Sequence, residues 1–499
     1  VKSARIKTFK YTIMTIDDLI IKLQNKNPDA NIDLIRRAYN FAAEAHKEQK
    51  RKSGEPYIIH PLATANNLVN LEMDDATIAA GLLHDVPEDT DINLTDIRNE
   101  FGPEVGRLVQ GITKLGQLKY RGIERYMENL RRMFVAMAKD IRVIVIKFAD
   151  RIHNLETLDA LPEEKQKRIA MESLEIYAPI ANRLGMGEIK GVIEDLAFPY
   201  VYPEEYEWLQ KKVSSIYKEK DKQIQTNIKN IKKIFKNNDI DFVSIHGRAK
   251  HYFSLYKKLQ ESNKDLSKIY DLIALRIVVK DVSTCYEVLG IIHQNFTPLK
   301  GRIKDYIAQP KPNGYRSLHT TVFTNEGEIL EIQIRDEEMH KEAEFGIAAH
   351  WHYKEGAEQS KIKEKTSWIQ QLSKLQKEIS NESQYLESLK IDIFQTRIFV
   401  FTPKGDVIDL PEDATPIDFA YNIHTDIGHT CTGAKINDQI CSLETKLKSG
   451  DVIEIHNDKN RKGPSEDWLN FVKTDTAKSR IRQWINKNRR ESLQKILTT

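Results

Sequence analysis

The strongest constraint on the fold of this 499-residue chain is a change of hydrophobic period near residue 240. From residue 14 to about 195 apolar positions recur at helical spacing. They do so in Asp33-Leu34-Ile35-Arg36-Arg37-Ala38-Tyr39-Asn40-Phe41-Ala42 and again through 126–138 and 168–178, so this stretch is expected to be almost entirely helical. The first domain is expected to end around Phe198-Pro199-Tyr200. A long Lys- and Glu-rich helix over 203–237 should follow as a connector or exposed support. Beyond it the pattern shortens. Phe242-Val243-Ser244-Ile245, Leu275-Arg276-Ile277-Val278-Val279, Thr320-Thr321-Val322-Phe323 and Ile329-Leu330-Glu331-Ile332-Gln333-Ile334 read as strands, which makes 240–355 an α/β domain.

Residues 354–389 are helical and polar, with Trp368 and Leu372 as anchors of an interdomain helix. A small β-rich module follows. It holds Arg397-Ile398-Phe399-Val400-Phe401, a turn at Pro403-Lys404-Gly405-Asp406, Val407-Ile408-Asp409-Leu410, a short helix over 418–424 and a last strand Val452-Ile453-Glu454-Ile455. Its His424 and His429 have no carboxylate pair at metal spacing, so it reads as a binding module. The tail, 465–499, is basic and helical with no core of its own, and 1–13 precede Met14 without a pattern. The expected divisions are 14–197, 198–355, 356–393, 394–457 and 458–499, within the roughly three or four ordinary domains such a length allows.

Charged residues at 30% and apolar ones at 40% describe an ordinary soluble protein, and a net charge of +3 provides no global field for nucleic acid. Cys285, Cys431 and Cys441 have an odd count and no zinc spacing, which points away from disulfides and fits a reducing cytosol. No apolar run reaches membrane-spanning length and no signal peptide is visible.

Chemistry concentrates first at Gly81-Leu82-Leu83-His84-Asp85-Val86-Pro87-Glu88-Asp89-Thr90. His84 and Asp85 close an apolar helix, Pro87 interrupts the pattern, and Glu88 and Asp89 fall on the next turn. Imidazole plus carboxylates suits a divalent ion such as Mn, Zn or Fe, and the spare acidic pair suits activation of water. Alone, such a pair serves equally as a satisfied polar contact. Two further stretches favour the metal. Arg51-Lys52-Ser53-Gly54-Glu55-Pro56-Tyr57-Ile58-Ile59-His60 leads a basic turn to a histidine, and Asp150, Asn154 and Thr157 share one helical face at i, i+4 and i+7. His60, His84-Asp85 and Asp150 then make the ordered H…HD…D pattern of HD-type phosphohydrolases. Arg51 and Lys52 are either a solvated pair or placed to hold a phosphate or stack on a base.

A second concentration lies in the α/β domain. Gly247-Arg248-Ala249-Lys250-His251 is expected to open a helix with two cations at its N-terminus, a natural phosphate position. Asp271 before one strand and Glu331 within another suit Mg²⁺ shared with substrate phosphates. The stretch 302–319 offers Arg302, Lys304, Lys311, Asn313, Gly314, Tyr315 and His319, the content of a nucleotide-phosphate loop and also of a solvated one. No Walker A motif is present; Gly111 to Gly116 is followed by Gln117 and Leu118.

Taken in order, RKSGEPYIIHP, LLHDVPEDT, KFADRIHNLETL, GRAKHYFSLYKK, YDLIALRIVV, GRIKDYIAQPKPNGYRSLHTTV, EIQIRDEEMHKEAEFGIAAHWHYK and VFTPKGDVIDLPEDATPIDFAYNIH resemble the long RelA/SpoT-homologue (Rel) enzymes, which make and destroy the alarmone (p)ppGpp. The resemblance covers residues 14 to about 485. It implies a multidomain fold: an all-α HD-type hydrolase domain, an α/β nucleotidyltransferase-like synthetase domain and a small β-grasp-like TGS domain. It implies Mn²⁺ on His60, His84, Asp85 and Asp150, with Glu88 and Asp89 activating water for attack on the 3′-pyrophosphate. Arg51, Lys52, Asn154 and Thr157 would then contact the nucleotide. In the synthetase it implies Mg²⁺ on Asp271 and Glu331, with Glu331 the base for the 3′-hydroxyl of GDP or GTP as pyrophosphate moves from ATP and AMP leaves. Arg248, Lys250, Lys304, Lys311, Asn313 and His319 match nucleotide-binding positions, and Tyr315 matches the aromatic that stacks on guanine.

The resemblance therefore implies a bifunctional stringent-response enzyme of the cytoplasm, GTP pyrophosphokinase and (p)ppGpp 3′-pyrophosphohydrolase together. Arg302-Ile303-Lys304-Asp305 has the basic form associated with bifunctional members. Phe253 stands where Tyr is usual, Arg316 where Gln is usual and Asp336 where Thr is usual, which leaves the efficiency of synthesis open. The zinc-finger-like and ACT modules of the family are expected to be missing, with contact to the ribosome and deacylated tRNA through the TGS region and no membrane partner. Alternatives are a hydrolase-dominant member, or chiefly a tRNA- and ribosome-binding regulator. Opposed activities in one chain would call for a reciprocal switch.

Overall fold

A computed structural model describes residues 14–116, 133, 135–262, 264–266, 269, 271–311, 313–324, 327–350, 397–404, 407–448, 450–458, 460–461 and 463–497. The expected interdomain helix over 356–393, with Trp368 and Leu372, lies outside these residues, as does most of the helix expected over 126–138. The chain forms two compact units, Val1–Glu378 and Ile379–Thr499.

The first helices form where spacing and caps agree. α1 (Ile16–Lys26) opens with a capping box between Thr15 and Asp18, and α2 (Ile32–Ala45) is capped by Asn31. α3 (Ile59–Asn70), α4 (Asp75–Leu83), α5 (Val86–Asp89) and α6 (Leu94–Gly116) follow. α6 turns at Gly102, whose φ of 85° only glycine adopts readily, just before Pro103. α4 is apolar nearly all round, and α7 (Arg142–Glu156) is buried along nearly its whole length with Asp150 and His153 among its buried residues, because both are central to the bundle. α8 (Glu163–Glu172), a π-helical turn over Ser173–Tyr177, α9 (Ala178–Arg183) and α10 (Gly187–Val201) complete this part.

α10 runs straight through residues 198–200, where the sequence suggested a boundary. Phe198 is fully buried, with ring centres 5.2 and 5.1 Å from Phe253 and Tyr256. α11 (Pro203–Asn237) corrects a second expectation. It is no connector: Leu209, Val213, Tyr217, Ile224, Ile228, Ile231 and Phe235 recur three, four or seven residues apart and form one stripe buried in the second core.

That core lies on a six-stranded sheet of β1 (Ser244–Ala249), β2 (Ile273–Val279), β3 (Thr297–Pro298), β4 (Lys304–Asp305), β5 (Leu318–Phe323) and β6 (Ile329–Asp336). The order is β1-β2-β6-β5-β3, with β4 also on β5. β2 and β6 are parallel and the other pairings antiparallel. α12 (Tyr252–Glu261), α13 (Val282–Asn295) and α14 (Glu337–Phe345) accompany it. Residues 247–251 do not open a helix. Gly247 to Ala249 belong to β1, where Arg248 pairs with Ala274, and α12 begins only after His251. Strand pairing wins because β2, buried along its whole length, needs a partner on that edge.

In the second unit β7 (Arg397–Phe401) and β8 (Val407–Pro411) form a hairpin. β9 (Cys431–Ile436), β10 (Gln439–Cys441) and β11 (Ile453–Asn457) form a sheet in the order β10-β9-β11. α15 (Pro416–Ile423) and α16 (Thr425–Thr430) lie between. The tail borrows this module's core. Trp468, Val472, Ala477 and Ile481, the last two on α17 (Asp475–Leu497), pack with Ile417, Ala420, Tyr421 and Cys431. The fully buried Asp418 carboxylate accepts the Thr415, Lys473 and Thr474 amides at 2.9, 3.0 and 2.7 Å, which ties the tail down.

Two candidate active sites in the first unit

α4 ends at Leu83 and α5 begins at Val86, with Pro87 in its first turn, so the turn His84-Asp85 and the α5 residues Glu88 and Asp89 bring four polar side chains of one short segment towards α3 and α7. Ligand atoms of His60, His84 and Asp150, all buried, lie within 4.8 Å of one another. His84 Nδ1 donates to the Gly81 carbonyl at 2.8 Å, which places the ring's proton there and leaves Nε2 as a lone pair. Asp85 Oδ1 is 3.1 Å from that Nε2 but off the hydrogen-bond direction, so the buried nitrogen is unpaired. His60 Nε2 stands 3.1 Å from Asp150 Oδ1 and 3.4 Å from Asp85 Oδ2. An orphaned imidazole nitrogen aimed among carboxylates fits a divalent metal ion.

Other groups here carried no sequence signal. Lys147 donates to Asp150 Oδ2 at 2.7 Å, and His153 Nδ1 lies 2.8 Å from His60 Nδ1. The Tyr57 hydroxyl is 2.9 Å from Asp85 Oδ2 and 2.7 Å from Asp89 Oδ2, so one proton serves two carboxylates. Burial alone would raise the Asp150 carboxyl, but Lys147, His60 and His84 outweigh it and hold it well below the usual range. Burial pushes Glu88 up to about 7 despite Lys147, and with His60 and Arg51 it pushes His153 down to about 3. Arg51 Nη2 donates to Asn154 Oδ1 and Thr157 Oγ1, both at 3.1 Å, which brings Arg51 to the helical face whose spacing groups Asn154 and Thr157 with Asp150. Asn154 in turn donates to Asp150, and Lys52 is exposed.

The second site is written in sheet register. Arg248, Ala274, Glu331 and Thr321 form one row across four strands, and His246, Arg276, Gln333, His319 and Lys304 form the next. Alternate residues of a strand share a face, so both rows lie on one side. Asp271, just before β2, takes Lys250 and Lys258 on Oδ2 at 2.5 and 2.8 Å, while its buried Oδ1 has no hydrogen-bond partner. Burial would raise this carboxyl, and the two lysines hold it below its usual value. Glu331 Oε1 accepts Gln333 Nε2 at 2.9 Å and lies 3.4 Å from His319 Nδ1; these donors likewise outweigh burial. Tyr315 follows the Gly314 turn (φ 76°), and its amide donates to Asn313 Oδ1 at 3.3 Å. Lys311 Nζ sits 4.5 and 5.0 Å from the Tyr306 and Tyr315 ring centres, and burial with Lys304 nearby pushes it down to about 8.

The three unusual residues have local roles. Asp336 caps α14, accepting the Met339 amide at 2.7 Å, which Thr also does. Arg316 pairs with Glu342 at 3.0 Å, and Phe253 packs in the Phe198 stack with its amide on Asp195 at 3.0 Å.

A helical His/Asp cluster and a mixed sheet bearing a row of acids and bases stand in one chain. Family models match along the chain: "HD domain" at 38–187, "Region found in RelA / SpoT proteins" at 247–358 and "TGS domain" at 398–457. The chain is 48% identical over 470 residues to a GTP pyrophosphokinase of Myxococcus xanthus, covering 93% of this chain and 62% of that protein. It is 46% identical over 483 residues to a guanosine-3′,5′-bis(diphosphate) 3′-pyrophosphohydrolase of Aquifex aeolicus, covering 96% and 68%. To the bifunctional (p)ppGpp synthase/hydrolase RelA of Mycobacterium tuberculosis it is 45% identical, covering 93% and 64%. This chain belongs to the RelA/SpoT family. It spans roughly three-fifths to two-thirds of the length of these relatives.

Proposed function

We propose that this protein is a bifunctional alarmone enzyme. It transfers pyrophosphate from ATP to the 3′-hydroxyl of GDP or GTP, and it hydrolyses the 3′-pyrophosphate of (p)ppGpp to GDP or GTP and pyrophosphate. The observation that carries the reading is that two separate sites stand in one chain, each with a buried potential ligand atom left without a hydrogen-bond partner, His84 Nε2 in one and Asp271 Oδ1 in the other. In the hydrolase His60, His84, Asp85 and Asp150 hold Mn²⁺, which supplies Lewis acidity at the scissile phosphate when bound. Glu88, titrating near neutrality, takes and returns the proton of the attacking water, with Asp89 oriented by Tyr57. Arg51, Lys52, Asn154 and Thr157 bind the nucleotide.

In the synthetase Asp271, whose buried Oδ1 has no hydrogen-bond partner, and Glu331 would hold Mg²⁺, which neutralises charge on the phosphates when bound. Glu331 accepts the 3′-hydroxyl proton as that oxygen bonds to the β-phosphorus of ATP; the bond from the β-phosphorus to the bridging oxygen breaks and AMP leaves. Arg248, Lys250, Lys304, Lys311, Asn313 and His319 orient the phosphates, and Tyr315 stacks on guanine. The TGS module is the proposed contact for ribosome and deacylated tRNA. Among the described residues no helix is long and apolar enough to cross a membrane, and we place the work in the cytoplasm.

Chromatography of two reactions tests this reading, one with ATP, GDP and Mg²⁺ and one with ppGpp and Mn²⁺. Product is expected in both, with Asp85→Ala silencing only the second and Glu331→Gln only the first. A silent ATP reaction reduces the protein to a hydrolase, and silence in both removes the enzyme reading.

A further inference from the structure

Behind Glu331 stands a residue that none of the motif assignments uses. Arg335, on β6 and on the same face as Glu331 and Gln333, is fully buried and makes no ion pair among the described residues. Its Nε and Nη1 make no hydrogen bond there either. A guanidinium without a carboxylate is costly to bury. Burial pushes Arg335 down to about 10, so at neutral pH it remains a cation and a donor only. Its hydrogen bonds all come from Nη2, to the Tyr315 hydroxyl at 3.0 Å and to Gln333 Oε1 at 3.2 Å.

From these two acceptors two arms converge on one oxygen. Gln333, its carbonyl turned to Arg335, presents its amide N–H to Glu331 Oε1 at 2.9 Å. The Tyr315 hydroxyl lies 2.9 Å from His319 Nε2, and His319 Nδ1 faces the same Glu331 Oε1 at 3.4 Å. The ring starts on a pure donor and ends on a pure acceptor, and Glu331 Oε2 is outside it.

We infer that Arg335 is a positioning residue for pyrophosphate transfer: through Gln333 and through Tyr315–His319 it holds Glu331 by Oε1 and leaves Oε2 to face the metal and the ribose 3′-hydroxyl. The inference rests on Glu331 being the base of the synthetase.

The test uses the full chain, with ppGpp hydrolysis as the internal control for folding. Arg335→Met is expected to lower the kcat of synthesis about 10²-fold, the scale of a misplaced catalytic group, while hydrolysis is kept. Tyr315→Phe combined with Gln333→Leu removes both arms and leaves Arg335 in place; it should lose as much kcat. Adding Arg335→Met to that pair should then cost less than about threefold more. Losses that multiply would mean that Arg335 merely supports the core, and would overturn the inference. Should Arg335→Met also lose hydrolysis, the pair decides alone: kcat within threefold of wild type overturns the inference. A wild type that makes no AMP from ATP and GDP removes the synthetase reading itself, whereas an active wild type with an indifferent Arg335→Met removes only the positioning role.

Discussion

The two sites of the first unit hold acidic groups ready by opposite means. In the helical site His84 and Asp85 come from the turn between α4 and α5, Glu88 and Asp89 from α5, and His60 and Asp150 are added from α3 and α7. In the sheet site Arg248, Glu331, Gln333, His319 and Lys304 come from four strands and meet only because those strands pair in one register. The helical site buries its acids and balances them with Lys147 and imidazoles; the sheet site sets acids and cations side by side in rows. A helix end gives local precision, and a sheet gathers side chains from several strands on one face.

The widest separation between the sites is expected from their acids. Asp85→Ala should cut hydrolysis, and Glu331→Gln should cut synthesis, by about 10²–10⁴-fold, each leaving the other reaction within about twofold. Loss of both from one substitution would break the comparison.

The next effect concerns what joins the two parts. His251 donates to Asp195 Oδ2 of α10 at 2.8 Å and lies 3.6 Å from Glu188. Burial would lower it, but these carboxylates raise it to about 9. Its folded value exceeds its unfolded one, so the folded state binds more protons. That stabilisation is complete below about pH 6.5 and is lost as pH rises through about 9, on the order of 3 kcal/mol at most. Urea unfolding at pH 6 and 9.5 should show the decline, and His251→Gln should remove it. A wild-type curve flat across that window would refute the coupling.

A smaller effect sharpens the helical site alone. His153→Leu should weaken Mn²⁺ binding by about 10–100-fold, because His60 then loses the partner that orients its ring. Calorimetric titration reads this without substrate, and Mg²⁺-dependent synthesis should not change.

Lys311 probes the sheet site. Phosphate needs its charged form, so the KM for nucleotide should rise up to about tenfold per pH unit above 8. Lys311→Arg should flatten that rise; an identical slope in the variant would clear Lys311 of the role. The smallest expected change is at Asp336. Asp336→Thr keeps the cap and should leave the melting point almost unmoved, whereas Asp336→Ala should cost about 1 kcal/mol.

The helical site was more legible than the sheet site. His84-Asp85 and Glu88-Asp89 are adjacent in sequence, and Asp150, Asn154 and Thr157 follow helical spacing, so their meeting needed little more than the helix itself. Lys147 and His153 are not legible in the sequence, because a lysine and a histidine in a helix look the same whether they face solvent or a buried carboxylate and imidazole. Gly and cations at 247–251 suit a helix start, but the open edge of β2 pairs with Gly247 to Ala249 as a strand. Arg335 and Gln333 carry no motif meaning until β5 and β6 set them beside Tyr315 and Glu331.

The amino-acid order by itself determined the helical first part, the strands of the second, the β-rich module and the metal-ligand candidates, because periodicity and chemical type are local properties. Only the tertiary structure decided that α10 joins the first two parts without a linker, that α11 is core, that the tail docks on the small module, and which oxygen of Glu331 is held. These depend on pairing register, burial and hydrogen-bond direction, which arise between residues far apart in the chain.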